Sequence, residues 1–296
     1  MKVVNFGSLN LDHLYHVPHA AVSGETISAT NYTTSIGGKG LNQSIAAARA
    51  GVSVCHAGLV GKEGGILVDC LRESGVDVSL VRTVSAPQGH DIIQINDEGN
   101  NCIIVFGGSN QELSRDYVDQ ALENMGAGDY VIVQNEVSNV GYIISAADAL
   151  GCTVVFNASP IDDSLLRLDY HKVDWLVVNE LEGMTIAGCR EIEDIIPLLT
   201  QRFPELHIIL TLGDSGSVCF SDGQLWKQAA LPAQVVDTTG AGDTFLGYCV
   251  AGLIRGEDTA TMLRTAAGAS SLAVSALGAA ASIPYREQVM EYLAQH

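Results

Sequence analysis

Residues 130–157 read YVIVQNEVSNVGYIISAADALGCTVVFN and contain the pattern that decides the fold. The runs 130–134 and 153–157 are short, mostly β-branched or aliphatic, and each ends in a residue with an amide side chain. Residues 140–150 between them form a helical pattern. Two buried strands separated by one helix predict a β-α-β unit with parallel strands.

The same alternation continues on both sides of this unit. Further apolar runs that predict strands lie at 3–9, 52–60, 175–179 and 208–212. Helical patterns lie between the strands, at 41–50, 66–73, 116–124 and 192–202. Elements in this order predict an α/β fold, in which helices cover both faces of a mostly parallel sheet.

Two stretches interrupt the alternation. Residues 10–36 and 89–106 contain no convincing helix, and the second stretch reads as two strands around a turn at 96–100. They predict a small β appendage on the α/β body. After residue 212 the sequence predicts a hairpin, with strands at 217–220 and 224–227, and then helices at 242–253, 258–276 and 285–294.

Charge and composition limit the classes of partner. The 296 residues include 15 Lys and Arg against 34 Asp and Glu, which gives a net charge of −19. Nucleic acids and anionic membranes attract cationic surfaces, so we expect neither as a partner. Residues 265–285 carry no charge, but small residues dominate them. We predict a buried helix followed by a turn there, not a membrane span.

The cysteines and the first residues indicate a compartment. The seven cysteines lie far apart and include no C-x-x-C pair, as expected for free thiols in a reducing environment. The opening MKVVNFG reaches polar positions too early for the apolar segment of a signal peptide. We therefore expect a cytoplasmic protein.

The strongest local signal is VVDTTGAGDTF at 235–245. An extended segment meets Gly240, Ala241 and Gly242 and then a helix. Free N–H groups at a helix N-terminus carry partial positive charge, and small side chains let a phosphate approach them. Asp243 in the first turn can then accept a proton. In the alternative interpretation Asp243 only caps the helix and the glycines form a sharp turn.

A second glycine-rich entry into a helix is SIGGKGLNQ at 35–43, and two such entries suggest two ends of one site. Other nucleotide-binding patterns are missing, since no G-x-G-x-x-G follows the first strand and no G-x-x-x-x-G-K-S/T occurs. The run GDSGS at 213–217 imitates a serine-protease motif, but the disulfide context and the partner His and Asp are missing.

These motifs together resemble the ribokinase or phosphofructokinase-B-type family of carbohydrate kinases. GGKGLNQS at 37–44 matches the first signature of the family, and DTTGAGD at 237–243 matches the second. The segments at 7–13, 179–182 and 211–216 match further family motifs in the expected order. The resemblance covers nearly the whole chain, and five ordered motifs are hard to obtain by chance.

The resemblance implies a ribokinase-like three-layer sandwich, a single domain over residues 1–296. The β appendage, formed by about 10–36 and 89–106, then corresponds to a β-sheet lid that covers the sugar. The family often pairs two such lids in a homodimer, which would protect exposed strand edges. Closure of the lid would exclude water from the reaction.

The resemblance also assigns roles to single residues. Asp243 matches the catalytic base that takes a proton from the primary hydroxyl of the sugar. The N–H groups of Gly240, Ala241 and Gly242 match the anion hole. The remaining residues that match sugar contacts are Asn10, Asp12, Gly38, Lys39, Asn42 and Glu136. Without the resemblance, Asp12 could be a turn residue, Lys39 a solvated charge and Glu136 a helix cap.

The nucleotide end of the site is assigned in the same way. The residues that match it are Asn179, Thr211, Gly213 and Gly216. Glu182 matches a residue near Mg²⁺, which usually keeps its water shell, so contact through water is expected. For a monovalent cation such as K⁺ the matching groups are the carbonyls of Asp237 and Thr239 and the side chain of Ser282. The implied cofactors are ATP, Mg²⁺ and K⁺.

The sequence therefore predicts an ATP-dependent kinase that transfers the γ-phosphate to the primary hydroxyl of a pentose. One alternative is a kinase of the same family for another sugar, a sugar acid or a nucleoside. A different class of function is a catalytically silent sugar sensor.

Several positions depart from the ribokinase pattern. Gln88, His90 and Asp91 replace small residues in the lid, which weakens the case for ribose. Asp91 could meet an extra hydroxyl, an amino group or solvent. Tyr248 and Cys249 replace small aliphatic residues in the helix after Asp243. Three histidines in the first lid strand have period three, but metal binding is not expected there.

Overall fold

Strands and helices alternate through most of the chain. The computed structural model describes residues 1–98 and 100–296. In these residues the strands are β1 (Val3–Phe6), β2 (Asn10–His16), β3 (Asn31–Gly37), β4 (Cys55–Ala57), β5 (Leu59–Val60), β6 (Arg82–Thr83), β7 (His90–Ile95), β8 (Asn101–Phe106), β9 (Tyr130–Gln134), β10 (Thr153–Asn157), β11 (Trp175–Asn179), β12 (His207–Thr211), β13 (Ser217–Ser221) and β14 (Gln224–Gln228). The helices are α1 (Lys39–Arg49), α2 (Gly65–Glu73), α3 (Arg115–Leu122), α4 (Val140–Ala149), α5 (Glu180–Ala187), α6 (Ile195–Arg202), α7 (Ala241–Arg255), α8 (Thr259–Ala273), α9 (Ala279–Ser282) and α10 (Arg286–Leu293).

An eight-stranded sheet has the order β14-β13-β12-β11-β10-β9-β1-β4. The six strands from β12 to β4 are parallel, and the β13–β14 hairpin adds two antiparallel strands at one edge. The predicted α/β fold is therefore confirmed. In parallel strands all carboxyl ends meet at one edge of the sheet, which is where sites form in such folds.

The central sheet has a hydrophobic core on each face. Val131 and Val133 pack in one core, whereas Ile132 between them packs in the other. Helices α3, α4, α5 and α6 cover the first face, and α1, α2, α7, α8 and α10 cover the second. This alternation along strands that are buried on both sides explains why they are continuous apolar runs in the sequence.

The strand predicted at 52–60 is wrong in its extent. It divides at Gly58, so that β4 belongs to the central sheet and β5 pairs with β6 in a separate two-stranded sheet. A Cβ at Gly58 would lie 2.7 Å from Nε2 of His56 and 2.9 Å from the carbonyl of Gly7. A side chain at position 58 would therefore collide with His56 and Gly7, and glycine is required where the strand divides. The helix predicted at 192–202 is regular only from Ile195.

A second sheet of four strands, in the order β3-β2-β7-β8, confirms the predicted β appendage. Strands β2 and β7 are parallel, and the other two pairs are antiparallel. Every residue of β8 is exposed. The turn predicted at 96–100 includes Gly99, which lies outside the described residues.

Helix α1 lies directly against the carboxyl end of β1 because two glycines meet there. A Cβ on Gly40 would collide with the backbone of Gly7, and the reverse is also true. Gly38, just before the helix, has a φ of 100°, which only glycine adopts freely. The first turn of α1 is thereby brought to the edge of the sheet where the parallel strands end.

The uncharged stretch at 265–285 forms the end of α8 and a turn, as predicted, and it also contains the short helix α9, which the sequence did not predict. Among the described residues, helices of a length and hydropathy suited to crossing a bilayer do not occur.

Candidate active site

Asp243 is the centre of a buried polar cluster. It lies in the first turn of α7 and is 8% exposed. Its Oδ2 accepts a hydrogen bond of 3.0 Å from Nδ2 of Asn42, and its Oδ1 accepts one of 2.9 Å from Nε2 of Gln43. The two glycine-rich helix starts of the sequence therefore meet, and each oxygen of the carboxylate is held by one amide of α1.

Gln43 is held in turn by the ends of two central strands. Its Nε2 also donates to Oδ1 of Asn157, over 3.0 Å, and its Oε1 accepts from Nε2 of Gln134, over 2.8 Å. Gln134 donates to Oδ1 of Asn5 as well, over 2.8 Å. These residues lie in β10, β9 and β1, so the amides line up along the carboxyl edge of the sheet.

The cluster ends at a buried histidine. Nδ2 of Asn5 donates to Oγ of Ser44 over 2.9 Å, and Oγ of Ser44 lies 2.8 Å from Nδ1 of His56. Burial lowers the pKa of His56 to about 4, so the ring is neutral at pH 7. Nδ1 then accepts the proton of Ser44, and Nε2 donates to the carbonyl of Gly7 over 3.2 Å. The sequence motifs did not predict this cluster. The feature that could have indicated it is a polar residue within or at the end of an otherwise apolar strand, as at Asn5, Gln134 and Asn157.

The start of α7 presents free backbone donors. Gly240 has a φ of 75°, and the N–H of Ala241 donates to the carbonyl of Thr238 over 3.3 Å. The next N–H with a backbone partner is that of Thr244, which donates to Gly240. Within residues 1–98 and 100–296, the N–H groups of Gly242 and Asp243 have no protein acceptor. The structure thus brings the residues predicted for an anion hole beside the carboxylate predicted as the base.

Three carboxylates define the other end of the cluster. Asp12 in β2 lies directly opposite Asp91 in β7, and the negative charge of Asp91 disfavours ionisation of Asp12. Glu136, after β9, accepts hydrogen bonds from the hydroxyl of Ser8 and, over 3.1 Å, from the N–H of Lys39. Burial raises the pKa of Glu136. The negative charges of Asp91 and Glu136 both raise the pKa of Asp12.

Asn10 and Lys39 lie among these carboxylates. Nδ2 of Asn10 donates to Oδ1 of Asp91 over 3.2 Å, and its Oδ1 accepts from Asn110 over 2.7 Å. Burial alone would lower the pKa of Lys39, but the neighbouring carboxylates outweigh it and raise this pKa. These carboxylates belong to Asp243, Glu136, Glu182 and Asp91. Lys39 is therefore a shared counter-ion, and not the solvated charge of the alternative interpretation.

Gly38 allows the chain to pass close to β2. A Cβ at this position would lie 2.9 Å from the carbonyl of Ser8 and 3.0 Å from the backbone nitrogen of Asn10. Its positive φ and this contact both require glycine. The predicted sugar residues in β2, α1 and the segment after β9 thus lie near one another at one end of the sheet.

The residues predicted for the nucleotide follow two adjacent strands. Asn179, at the end of β11, is in register with Thr211, at the end of β12. Thr211 donates its hydroxyl proton to the carbonyl of Val178 over 3.3 Å. Gly213 and Gly216 both have positive φ, and a Cβ on Gly216 would collide with the carbonyl of Gln228. The loop after β12 is therefore narrow and backbone-lined.

Glu182 has an acceptor that could serve hydrated Mg²⁺. Its Oε2 accepts from the N–H of Asn179 over 2.9 Å, while the N–H of Glu182 donates to Oδ1 of Asn179 over 2.9 Å. This capping box uses Oε2 alone and fixes the carboxyl, whose pKa is raised by burial. In the described residues no group of three or more His, Cys, Asp and Glu could ligate a metal. An ion held by phosphate and water fits this arrangement better than one held by protein alone.

The residues predicted for a monovalent cation lie in two segments that meet. Oδ1 of Asp237 accepts from the N–H and the hydroxyl of Thr239, and Oδ2 accepts from the N–H of Gly278 over 2.9 Å. The hydroxyl of Ser282 donates to the carbonyl of Ala279 over 3.0 Å. The side chains thus stabilise the loops, and the carbonyls of Asp237 and Thr239 stay candidates for K⁺.

Asp12 makes the stability of the protein pH-dependent. Burial and the charges of Asp91 and Glu136 raise its pKa to about 7, whereas an unfolded Asp titrates near pH ~4. The native state therefore binds an extra proton between these values, and the free energy of unfolding falls as the pH rises through this window. Asp12→Asn lacks this loss. We therefore expect its free energy of unfolding, measured with urea, to rise by about 2–3 kcal/mol relative to that of the wild type as the pH goes from ~5 to ~8.

The exposed Asp148 supplies the control for this measurement. Asp148→Asn also removes one carboxylate, but from the surface of α4, and it measures the effect of losing one exposed charge. A pH-independent difference between Asp12→Asn and the wild type would contradict the predicted proton uptake.

Comparison with known proteins identifies the family. A family model described as pfkB family carbohydrate kinase matches residues 1–286. The chain is similar to ribokinase from Staphylococcus aureus, with 33% identity over 303 residues that cover 97% of this chain and 98% of the relative. It is also similar to deoxyribokinase from Salmonella typhi, with 28% identity over 306 residues and 99% coverage of both chains.

Solved structures show the same architecture. The structure of Arabidopsis thaliana ribokinase complexed with ribose and ATP has a TM-score of 0.86 and 30% identity, and the match covers 99% of this chain and 98% of that chain. The three-layer sandwich and the family resemblance drawn from the motifs are thus confirmed. The family match spans nearly the whole length, and the chain belongs to the pfkB family of carbohydrate kinases.

Proposed function

We propose that this carbohydrate kinase uses ATP to phosphorylate the primary hydroxyl of a pentose. The observation that carries the proposal is the position of Asp243. Its carboxylate is fixed by Asn42 and Gln43, and it lies beside backbone N–H groups of α7 that have no protein acceptor in the described residues. A proton acceptor and an anion-binding helix start are thus adjacent, as phosphoryl transfer to an alcohol requires.

The residues of this chain would divide the reaction between them. Asp243 takes the proton of the attacking hydroxyl as its oxygen forms a bond to the γ-phosphorus, and ADP leaves with the electrons of the broken bond. The free N–H groups of Gly242 and Asp243, with that of Gly240, would hold the negative charge on the transferring oxygens, and the N–H of Ala241 would have to leave the carbonyl of Thr238 to join them. Bound Mg²⁺ neutralises phosphate charge, and Glu182 would hold its water shell. K⁺ at the carbonyls of Asp237 and Thr239 would add positive charge beside the anion hole.

The ends of β11 and β12 would bind ATP. Asn179, Thr211, Gly213 and Gly216 form a backbone-lined loop region there that suits a nucleotide. The Arabidopsis ribokinase structure contains ATP and ribose, which supports the same cofactor and a pentose for this chain. The sugar would lie against Asn10, Asp12, Gly38, Lys39, Asn42 and Glu136.

The alternatives differ in how well they suit the site. The similarity to a deoxyribokinase supports a pentose but leaves its identity open. Another sugar or a nucleoside could also occupy the site, whereas a sugar acid would meet Asp12, Asp91 and Glu136, which repel a further carboxylate. A silent sugar sensor would not need Asp243 held by two amides.

Asp243→Asn tests the proposed base. The variant cannot accept the hydroxyl proton, so we expect kcat to fall about 10³-fold or more, measured as ADP release with the best sugar. Sugar binding, followed as a rise in melting temperature, should persist. Asp148→Asn is the matched control and should keep its turnover. Near-native turnover of Asp243→Asn would show that another group is the base, and sugar binding by the wild type without any ADP release would favour the sensor.

Gln43 should act as a positioning residue for Asp243. Gln43→Leu removes the donor to Oδ1, so we expect kcat to fall about 10- to 100-fold while KM for ATP changes little. A merely structural role would lower the stability of the protein without this selective loss of kcat.

A second copy of the chain would complete the lid. Strand β8 forms an edge of the four-stranded sheet, and its apolar residues Ile103, Ile104, Val105 and Phe106 are about half exposed. An exposed apolar edge strand favours association with another strand. We propose a homodimer formed through the β-sheet lid at about 10–36 and 89–106, which would close over the sugar as part of the single domain at 1–296.

Ile104→Lys tests this dimer. Ile104 is 55% exposed on β8, and Ile66 is 55% exposed on α2, so the two positions form a matched pair. We expect light scattering to give a dimer for the wild type and Ile66→Lys, and a monomer for Ile104→Lys, because a buried lysine would be desolvated at the interface. A monomeric wild type at micromolar concentration would contradict the proposal.

A cytoplasmic location also suits the protein. All seven cysteines are free thiols, which supports a reducing compartment.

A further inference from the structure

Asp91 and Asp12 face the same side of the lid sheet. They are directly opposite in the parallel pair of β7 and β2, and strands paired in this way are about 5 Å apart. Asp91 stands at a position where the family resemblance predicts a small residue. The lid therefore presents two neighbouring carboxylates to the end of the site that the proposed function gives to the sugar.

The free atoms of this end are hydrogen-bond acceptors. Asp12 is only 7% exposed, and its Oδ1 is buried without a hydrogen-bond partner among the described residues. Oδ1 of Asn42 is also buried without a partner. Oδ1 of Asp91 accepts a hydrogen bond from Nδ2 of Asn10 over 3.2 Å, and Ser35 contributes a side-chain hydrogen bond to Asp12. A buried acceptor without a donor costs free energy unless a ligand supplies that donor.

The side chains that bring positive charge near Asp91 are His90 and Lys39. The ammonium of Lys39 interacts with Asp91 and Glu136, but also with Asp243 and Glu182. Asp12 is not among these partners. The carboxyls of Asp12 and Asp91 both have raised pKa values, chiefly because burial disfavours the ionised form. The carboxyls at the sugar end thus outnumber the cationic side chains beside them, and Lys39 is shared with Asp243 and Glu182.

We propose that Asp12 and Asp91 together bind an ammonium group, so that the preferred substrate is an amino sugar. This proposal rests on the proposed kinase function. A neutral hydroxyl donates one hydrogen, whereas an ammonium donates three, accepts none and brings a full positive charge. Charge-assisted hydrogen bonds are roughly twice as strong as neutral ones, and the partly buried setting strengthens them further. Asp91 is therefore the specificity-determining residue of this chain.

The experiment compares each amino sugar with its parent sugar and its N-acetyl derivative. The parent replaces the ammonium with a hydroxyl, and the acetyl group removes its charge. For the wild type at pH ~7 we expect kcat/KM for at least one amino sugar to exceed that for its parent and its N-acetyl form about tenfold. In Asp91→Asn, which keeps the shape but not the charge, this preference should fall about tenfold.

Asp97→Asn is the matched control. Asp97 is an exposed residue of the segment that follows β7, so the variant removes one charge from the same lid without changing the site. Its amino-sugar preference should equal that of the wild type. Binding followed by melting temperature gives a second readout, in which the extra stabilisation by the amino sugar is lost in Asp91→Asn alone.

The outcomes separate the two proposals. If neutral sugars yield ADP but no amino sugar is preferred, or if Asp91→Asn leaves the preference unchanged, the ammonium site is wrong and the kinase stands. If no sugar yields ADP, the kinase proposal fails. The ammonium site is then judged by binding, which overturns it if the amino sugar stabilises the wild type no more than its N-acetyl form does.

Discussion

The arrangement of the site depends on keeping one carboxylate inside the protein with both oxygens satisfied. A charge taken out of water costs several kcal/mol unless donors replace the lost hydration. For Asp243 these donors are the amides of Asn42 and Gln43. An amide that rotated by half a turn would place its oxygen against the carboxylate. Gln43 is prevented from doing so because Gln134 and Asn157 hold its two ends.

Two glycines allow helix α1 to approach strand β1 closely. Helix α1 can place Asn42 and Gln43 beside Asp243 only because Gly40 lies against Gly7 without side chains between the two backbones. At the other helix, Gly240 turns the chain with a positive φ, so that the N-terminus of α7 opens toward the site. A protein with a net charge of −19 can then offer a phosphate backbone N–H groups in place of cationic side chains.

The site is polarised along its length. Its α7 end consists of N–H donors, which suit phosphate oxygens, and its lid end consists mainly of carboxylate acceptors, which suit the hydrogens of a sugar. Lys39 lies between the two ends and interacts with carboxylates of both, including Asp243 and Asp91.

The sequence by itself determined the α/β class, the β appendage and the two glycine-rich helix starts, because these depend on local periodicity and on backbone conformations that only glycine adopts freely. It also pointed to Asp243, which lies within such a motif. It did not determine the split of residues 52–60, which depends on the contact of Gly58 with Gly7, or the cluster from Gln43 to His56. Those partners are up to 129 residues apart in the chain. Only the tertiary structure decides which amide faces which carboxylate, because hydrogen bonds between distant residues follow from how helices and strands pack and leave no periodic trace in the sequence.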